Sequence, residues 1–253
     1  MHSTIDIREL GRGEPIVLLH GFGTPRDAFD GLAHAIAAER RVLLPAMRGY
    51  EPSAPVAHDA TLTDAVRELE NALLARGVTT AALVGYSLGG YRALAIAVGG
   101  RIRATGLLLL GGFAHLDDQE RAAYRQMTPL AAEGALPKGI ASQRLLSPTF
   151  AAAHPGDGAH VDAWFEAIAH ETLAYEARTL AGCEDLRSRL ASIAAPIIAH
   201  AGTADVSIPP SRADEIARLV PHGRAVSVEG AGHLLMLEDV EGTRAAAMSL
   251  PTR

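Results

Sequence analysis

Short apolar runs alternate with longer amphipathic stretches along the front half of the chain. Pro15-Ile-Val-Leu-Leu19 has the length and apolar content of a buried strand. Thr24-Pro25 then predicts a helix through about Ala38, with threonine as N-cap and proline at the first helical position. Arg41-Val-Leu-Leu44 predicts the next strand. Thr61-Leu-Thr-Asp64 resembles a capping box, aspartate replacing the usual glutamate, ahead of Val66, Leu69, Leu73 and Leu74; Gly77 ends that helix. Ala81-Ala-Leu-Val84 predicts a strand, Leu88 to Val98 a helix, and Gly106-Leu-Leu-Leu-Leu110 a strand. Strands separated by helical patterns imply βαβ units, hence an α/β fold with a mostly parallel sheet flanked by helices.

The rhythm breaks after Gly111-Gly112. From Phe113 to about Arg189 the patterns are helical, with no strand, and aromatic and histidine residues gather there, among them Tyr124, Phe150, His154, Trp164, Phe165 and Tyr175. Alternation resumes with Pro196-Ile-Ile-Ala-His200, a helix after Ser211, the strand Ala225-Val-Ser-Val228 and a last helix after His233. The expected organisation is one α/β domain over residues 1–253 with a helical cap inserted at about 113–189. Within the insertion, HPGDGAH carries His154, Asp157 and His160, but its spacing aims no three ligands at one point. It predicts a polar loop and no metal site.

Composition narrows the function classes. With 253 residues and 48% hydrophobic content, the chain can build one large core without staples. The 23 basic and 29 acidic residues leave a net charge of −6 and no basic run, which argues against nucleic acid and acidic membrane surfaces as partners. A single cysteine, Cys183, excludes an internal disulfide, fits a reducing compartment and is read as inert. The opening MHSTIDIREL has no basic segment followed by an apolar one, so a secretory signal is not expected and a cytoplasmic location is. The most apolar stretch, around Ala82–Ala93, is interrupted by Arg92 and is too broken for a spanning helix, which needs about 20 apolar residues.

That stretch, ALVGYSLGGYRA, carries the candidate chemistry. Ser87 stands where an apolar strand meets a helix with almost nothing between. So tight a turn strains its central residue and leaves no room for neighbouring Cβ atoms, which glycines two before and two after relieve. The serine hydroxyl is thereby held at a helix start, where free N–H groups and a partial positive charge favour a developing oxyanion. A serine needs a base, and the base an orienting carboxylate. Ala201-Gly-Thr-Ala-Asp205 places Asp205 beyond one strand, and Glu229-Gly-Ala-Gly-His233 places His233 beyond the last. Loops at the carboxyl ends of parallel strands build the sites of such sheets. Asp185 and Glu229 are the rival acids; Glu229 lies too near His233 in sequence, and Asp185 falls in the cap or its return. Leu18-Leu-His-Gly-Phe-Gly23 supplies a glycine-flanked turn, from which the Phe22 N–H, together with that of Leu88, is assigned to the oxyanion. His20 is read as bracing that turn. Tyr86, Trp164 and Phe165 are the candidate pocket residues, with the cap's own core as the equal alternative for Trp164 and Phe165.

Taken in order, HGFG, GYSLGG, GTAD and EGAGH resemble the α/β-hydrolase fold superfamily, over about residues 14–112 and 190–250. Within it the chain resembles small cytoplasmic esterases and lactonases acting on aliphatic esters, enol-lactones or acyl-carrier methyl esters. The resemblance implies a serine hydrolase that cleaves a small carboxylic ester or lactone through an acyl-enzyme, with no cofactor. Carbon–carbon bond hydrolysis or an elimination by the same triad is the alternative enzyme reading. HGFGT also resembles the opening of hydrolase-fold receptors, which bind a small ligand with little turnover. LPAMRGYEPSAP departs from the superfamily's P-D-x-R-G-x-G-x-S stretch at Ala46 and Glu51, which predicts an altered loop and pocket wall there.

Overall fold

Four consecutive residues of the first apolar run, Ile16 to Leu19, are wholly buried, as are Leu107 to Leu110. These runs are the middle of a sheet covered on both faces, which is why they read as continuous hydrophobic segments rather than alternating ones. The computed structural model describes residues 5–57 and 59–252, so Met1 to Thr4 of the opening segment lie outside it. Among the described residues the strands are β1 (Asp6–Leu10), β2 (Glu14–Leu19), β3 (Arg40–Ala46), β4 (Thr80–Tyr86), β5 (Arg103–Leu110), β6 (Ile197–Gly202) and β7 (Gly223–Val228). They form one sheet in the order β1-β3-β2-β4-β5-β6-β7, all pairs parallel except β1 with β3.

β1 is an element that the hydrophobic runs do not announce. Asp-Ile-Arg-Glu-Leu alternates polar and apolar residues, the pattern of an edge strand with one face buried. Before β3, a 3₁₀ turn (Arg26–Phe29) leads into α1 (Asp30–Ile36). The helix expected from Thr24 therefore starts later. Pro25 is extended, with ψ 166°, and the Thr24 hydroxyl donates back to the Gly21 carbonyl instead of capping a helix. α2 (Leu62–Leu74) carries the expected capping box, with Thr61 and Asp64 bonded reciprocally. α3 (Leu88–Gly99) follows β4 directly.

Between β5 and β6 the chain is helical: α4 (Asp118–Ala132), α5 (Ile140–Leu145), α6 (Pro148–Ala153), α7 (Pro155–Glu166) and α8 (His170–Ala181), then a 3₁₀ turn (Arg187–Ser192). HPGDGAH is the start of α7, with His154 at the N-cap position, and not a loop. Pro155 takes the first turn and Asp157 follows it, which suits a helix start despite the two glycines. The chain closes with α9 (Ser211–Leu219), α10 (Leu235–Glu238) and α11 (Val240–Ser249). The helix expected after His233 is split at Asp239, whose side chain caps α11. One core cluster packs α2, α3 and α8 on one face of the sheet, and another packs α1 and α11 on the other. No helix of the described residues is long and apolar enough to cross a membrane.

α1 carries the chain from β2 to β3 on one side of the sheet, and α3 carries it from β4 to β5 on the other. The order therefore reverses between β2 and β4, and a crevice opens there at their carboxyl ends, where open α/β sheets bind ligands.

Candidate active site

Ser87 follows β4 with φ 52° and ψ −117°, the one non-glycine with positive φ among the described residues. Such a conformation costs of the order of 1–3 kcal/mol and is kept only where the surroundings impose it. Here they do. The Ser87 N–H is tied to the Leu110 carbonyl at 2.9 Å, and its own carbonyl accepts from Gly90 at 2.8 Å and Tyr91 at 3.2 Å. A Cβ at Gly89 would collide with the Leu19 carbonyl oxygen and would lie 2.7 Å from that of His20, so α3 can pack this close to β2 only with glycine there. Gly89→Ala is expected to cost about 2–4 kcal/mol of stability. Gly90→Ala, whose nearest new neighbour would be the Gly112 Cα at 3.1 Å, should cost less. Urea midpoints compare the two, and equal midpoints would refute this account of the corner.

Asp205 follows β6 and His233 follows β7. The Asp205 side chain is fully buried; Oδ1 accepts from the amides of Ser207 at 2.8 Å and Ile208 at 3.0 Å, leaving Oδ2 to His233 Nδ1 at 2.6 Å. The His233 main chain is held by its own N–H to the Leu145 carbonyl at 2.9 Å, and its ring lies 4.9 Å from that of Tyr86. Gly111, which sequence reasoning took only as a break in rhythm, has φ 57° and sits beneath this pair. A Cβ there would fall 2.7 Å from the His233 ring. The rival acids are elsewhere: Glu229 is exposed, and Asp185 is bound by Arg187, whose hydrogen bonds hold its carboxyl at about 2.

Ser87 and His233 line the same cavity of about 190 Å³, with no hydrogen bond between them. Such bonds are often long before substrate binds. Phe22, Tyr86 and Phe165 line it too, and α4 and α5 form much of its wall, with Tyr124, Met127, Ile140 and Leu145 among the lining residues. Phe22 meets Tyr124 and Phe165 edge-on. Trp164 does not line this cavity. One residue away from Phe165 on α7, it packs edge-on to His160 at 4.5 Å and faces a separate surface groove. Ala46 is buried and neither it nor Glu51 lines the cavity. The Tyr86 hydroxyl is buried and has no hydrogen-bond partner among the described residues.

The turn after β2 lies against Ser87: a Cβ on Gly21 would be 3.0 Å from the Ser87 Cβ. The amides of Phe22 and Leu88 donate to no other described residue. His20 is wholly buried. Burial, with Arg92 second, lowers its pKa to about 3, so the ring stays neutral; Nδ1 bonds the Gly21 carbonyl at 3.1 Å and Nε2 accepts from the Met47 amide at 3.0 Å. Both nitrogens are engaged in bracing the turn.

Comparisons with known proteins bear on the family and the fold. A family model described as "Alpha/beta hydrolase family" matches residues 16–246. A polyketide synthase of Burkholderia thailandensis, ThaQ, is 30% identical over 94% of the chain, which spans only 12% of that synthase's length. A pimeloyl-[acyl-carrier protein] methyl ester esterase of Xanthomonas campestris is 28% identical over 88% of the chain and 89% of its own length. Among solved structures, a thermophilic esterase from Thermogutta terrifontis has a TM-score of 0.89 at 26% identity, covering 96% of this chain and 91% of that one.

Proposed function

The chain belongs to the alpha/beta hydrolase family, and from that premise we propose that it is a serine hydrolase cleaving a small carboxylic ester or lactone. The observation that carries the proposal is the buried Asp205–His233 hydrogen bond at the cavity into which the strained Ser87 opens. With Nδ1 held by Asp205, His233 has Nε2 free to take the Ser87 proton as Oγ attacks the carbonyl. The amides of Phe22 and Leu88 receive the oxyanion. The leaving alcohol, or in a lactone the ring oxygen, takes the proton back from His233. Water, activated by the same imidazole, then releases the acid. Resemblance to an esterase of an acyl-carrier methyl ester makes methyl esters of acyl chains part of the substrate class to assay.

The helices α4 to α8 act as a cap that sets chain preference and excludes water. A cavity of 190 Å³ is below the roughly 300–1,000 Å³ of pockets for drug-sized ligands, which favours a short acyl or alkyl arm. The unpartnered Tyr86 hydroxyl supplies a hydrogen-bond donor for an oxygen of that arm. Multiple-turnover assays on p-nitrophenyl esters of graded length test the reading; a single turnover or none would refute it and favour a ligand-binding role. In the same series Phe165→Ala should shift the preferred length upward, and Trp164→Ala should leave it unchanged. The reverse result would place the cap's packing differently.

A further inference from the structure

Arg92 and Glu176 are each 1% exposed and pair at 2.7 Å. They join two parts of the molecule: Arg92 lies on α3, just after Ser87, and Glu176 lies on α8 of the helical segment. Burying two charges costs several kcal/mol that their attraction hardly repays, so such a pair is a weak source of stability. Its other bonds indicate a different use. The second Glu176 oxygen accepts from the Tyr50 hydroxyl, and the Tyr50 oxygen accepts from the Gly23 amide at 3.0 Å. Arg92 also donates to the His20 carbonyl at 3.3 Å. Burial, then the Glu176 carboxylate, pushes Tyr50 well above its ordinary range, so its hydroxyl remains a donor. Nearby, the Thr172 hydroxyl of α8 donates to the Gly49 carbonyl at 3.0 Å, seating the helix on the loop that carries Tyr50.

Both ends of this chain of bonds thus terminate on the turn 20–23, on either side of the Phe22 amide. We propose that Glu176 is a positioning residue for the oxyanion site: through Tyr50 and Arg92 it fixes the backbone of that turn, so that the seating of the helical segment and the aim of the Phe22 N–H form one coupled unit. The inference rests on the oxyanion role given to Phe22 above. It makes a cap helix part of the machinery that binds transition-state charge, beyond its part in enclosing substrate.

The test compares wild type with Tyr50→Phe and Glu176→Gln. Rates are normalised to the Ser87 sites titrated by a phosphonate, so that only folded protein counts. Oxyanion donors act on the transition state and not on the bound ester, so kcat should fall about 10- to 100-fold with KM little changed. Affinity for an alkylboronate, which forms a tetrahedral anion on serine, should fall in step with kcat/KM, and the double variant should lose little more than either single one. Unchanged kcat/KM and boronate affinity per titrated site in Tyr50→Phe would overturn the proposal, as would a rise in KM with kcat unchanged. If Tyr50→Phe yields no titratable sites, Glu176→Gln decides by the same criteria. Wild-type protein that takes up neither phosphonate nor boronate would overturn the hydrolase reading itself, a result distinct from an unaffected variant.

Discussion

Ser87→Ala is expected to fold and to lose about 10⁴- to 10⁶-fold in kcat on an alkyl ester, since removing the nucleophile of a triad leaves only binding and oxyanion stabilisation. The corner that holds Ser87 is built by its neighbours, Gly89 above all, and alanine keeps its Cβ. Ser87→Gly carries the argument a step further. At φ 52° glycine is not strained, so this variant should be equally inactive and more stable than wild type by about 1 kcal/mol. Chemical denaturation and steady-state rates read the two effects separately. Residual activity above about 10% in Ser87→Ala, with contaminating esterase excluded, would be incompatible with a nucleophilic role.

The second large effect is expected at Asp205. Its Oδ1 accepts two backbone amides, and its Oδ2 faces His233 Nδ1. In Asp205→Asn the amide oxygen keeps the two backbone bonds, so the NH₂ is turned towards His233. Nδ1 must then accept, the ring proton moves to Nε2, and the imidazole can no longer take a proton from Ser87. In the serine-protease template this wrong tautomer costs about 10⁴ in kcat; esters with good leaving groups demand less of the base, so a loss of roughly 10²–10⁴ is expected. Asp185→Asn and Glu229→Gln should remain near wild type, because one acid is paired with Arg187 and the other is exposed. The opposite ranking on an unactivated alkyl ester would reassign the acid.

How much of this is legible in the sequence depends on how local the cause is. The buried strands read as apolar runs, and the corner at Ser87 reads from its glycines, because both are set by neighbours in the chain. Asp205 and His233 stand at strand ends that punctuation marks. β1 is harder, since an edge strand alternates and its run of apolar residues never forms. Gly111 reads as a pause, yet its positive φ makes room for a ring contributed by a residue far along the chain. Trp164 and Phe165 are adjacent, but successive helical residues point about 100° apart, and only the phase of α7 tells which one meets the cavity. The network of Arg92, Glu176 and Tyr50 is hidden most completely. Its one local signal is a charge inside the apolar stretch after Ser87, which sequence reasoning uses only to reject a membrane span. What gives Arg92 its meaning is an acid 84 positions away.

The central claim is that Ser87 is the nucleophile, and labelling with an alkyl fluorophosphonate followed by peptide mapping tests it most directly. One adduct per chain, on Ser87, formed in step with loss of activity and abolished in Ser87→Ala, is the predicted result. An adduct on another residue with Ser87 unmodified, or full activity after stoichiometric modification of Ser87, would contradict the account.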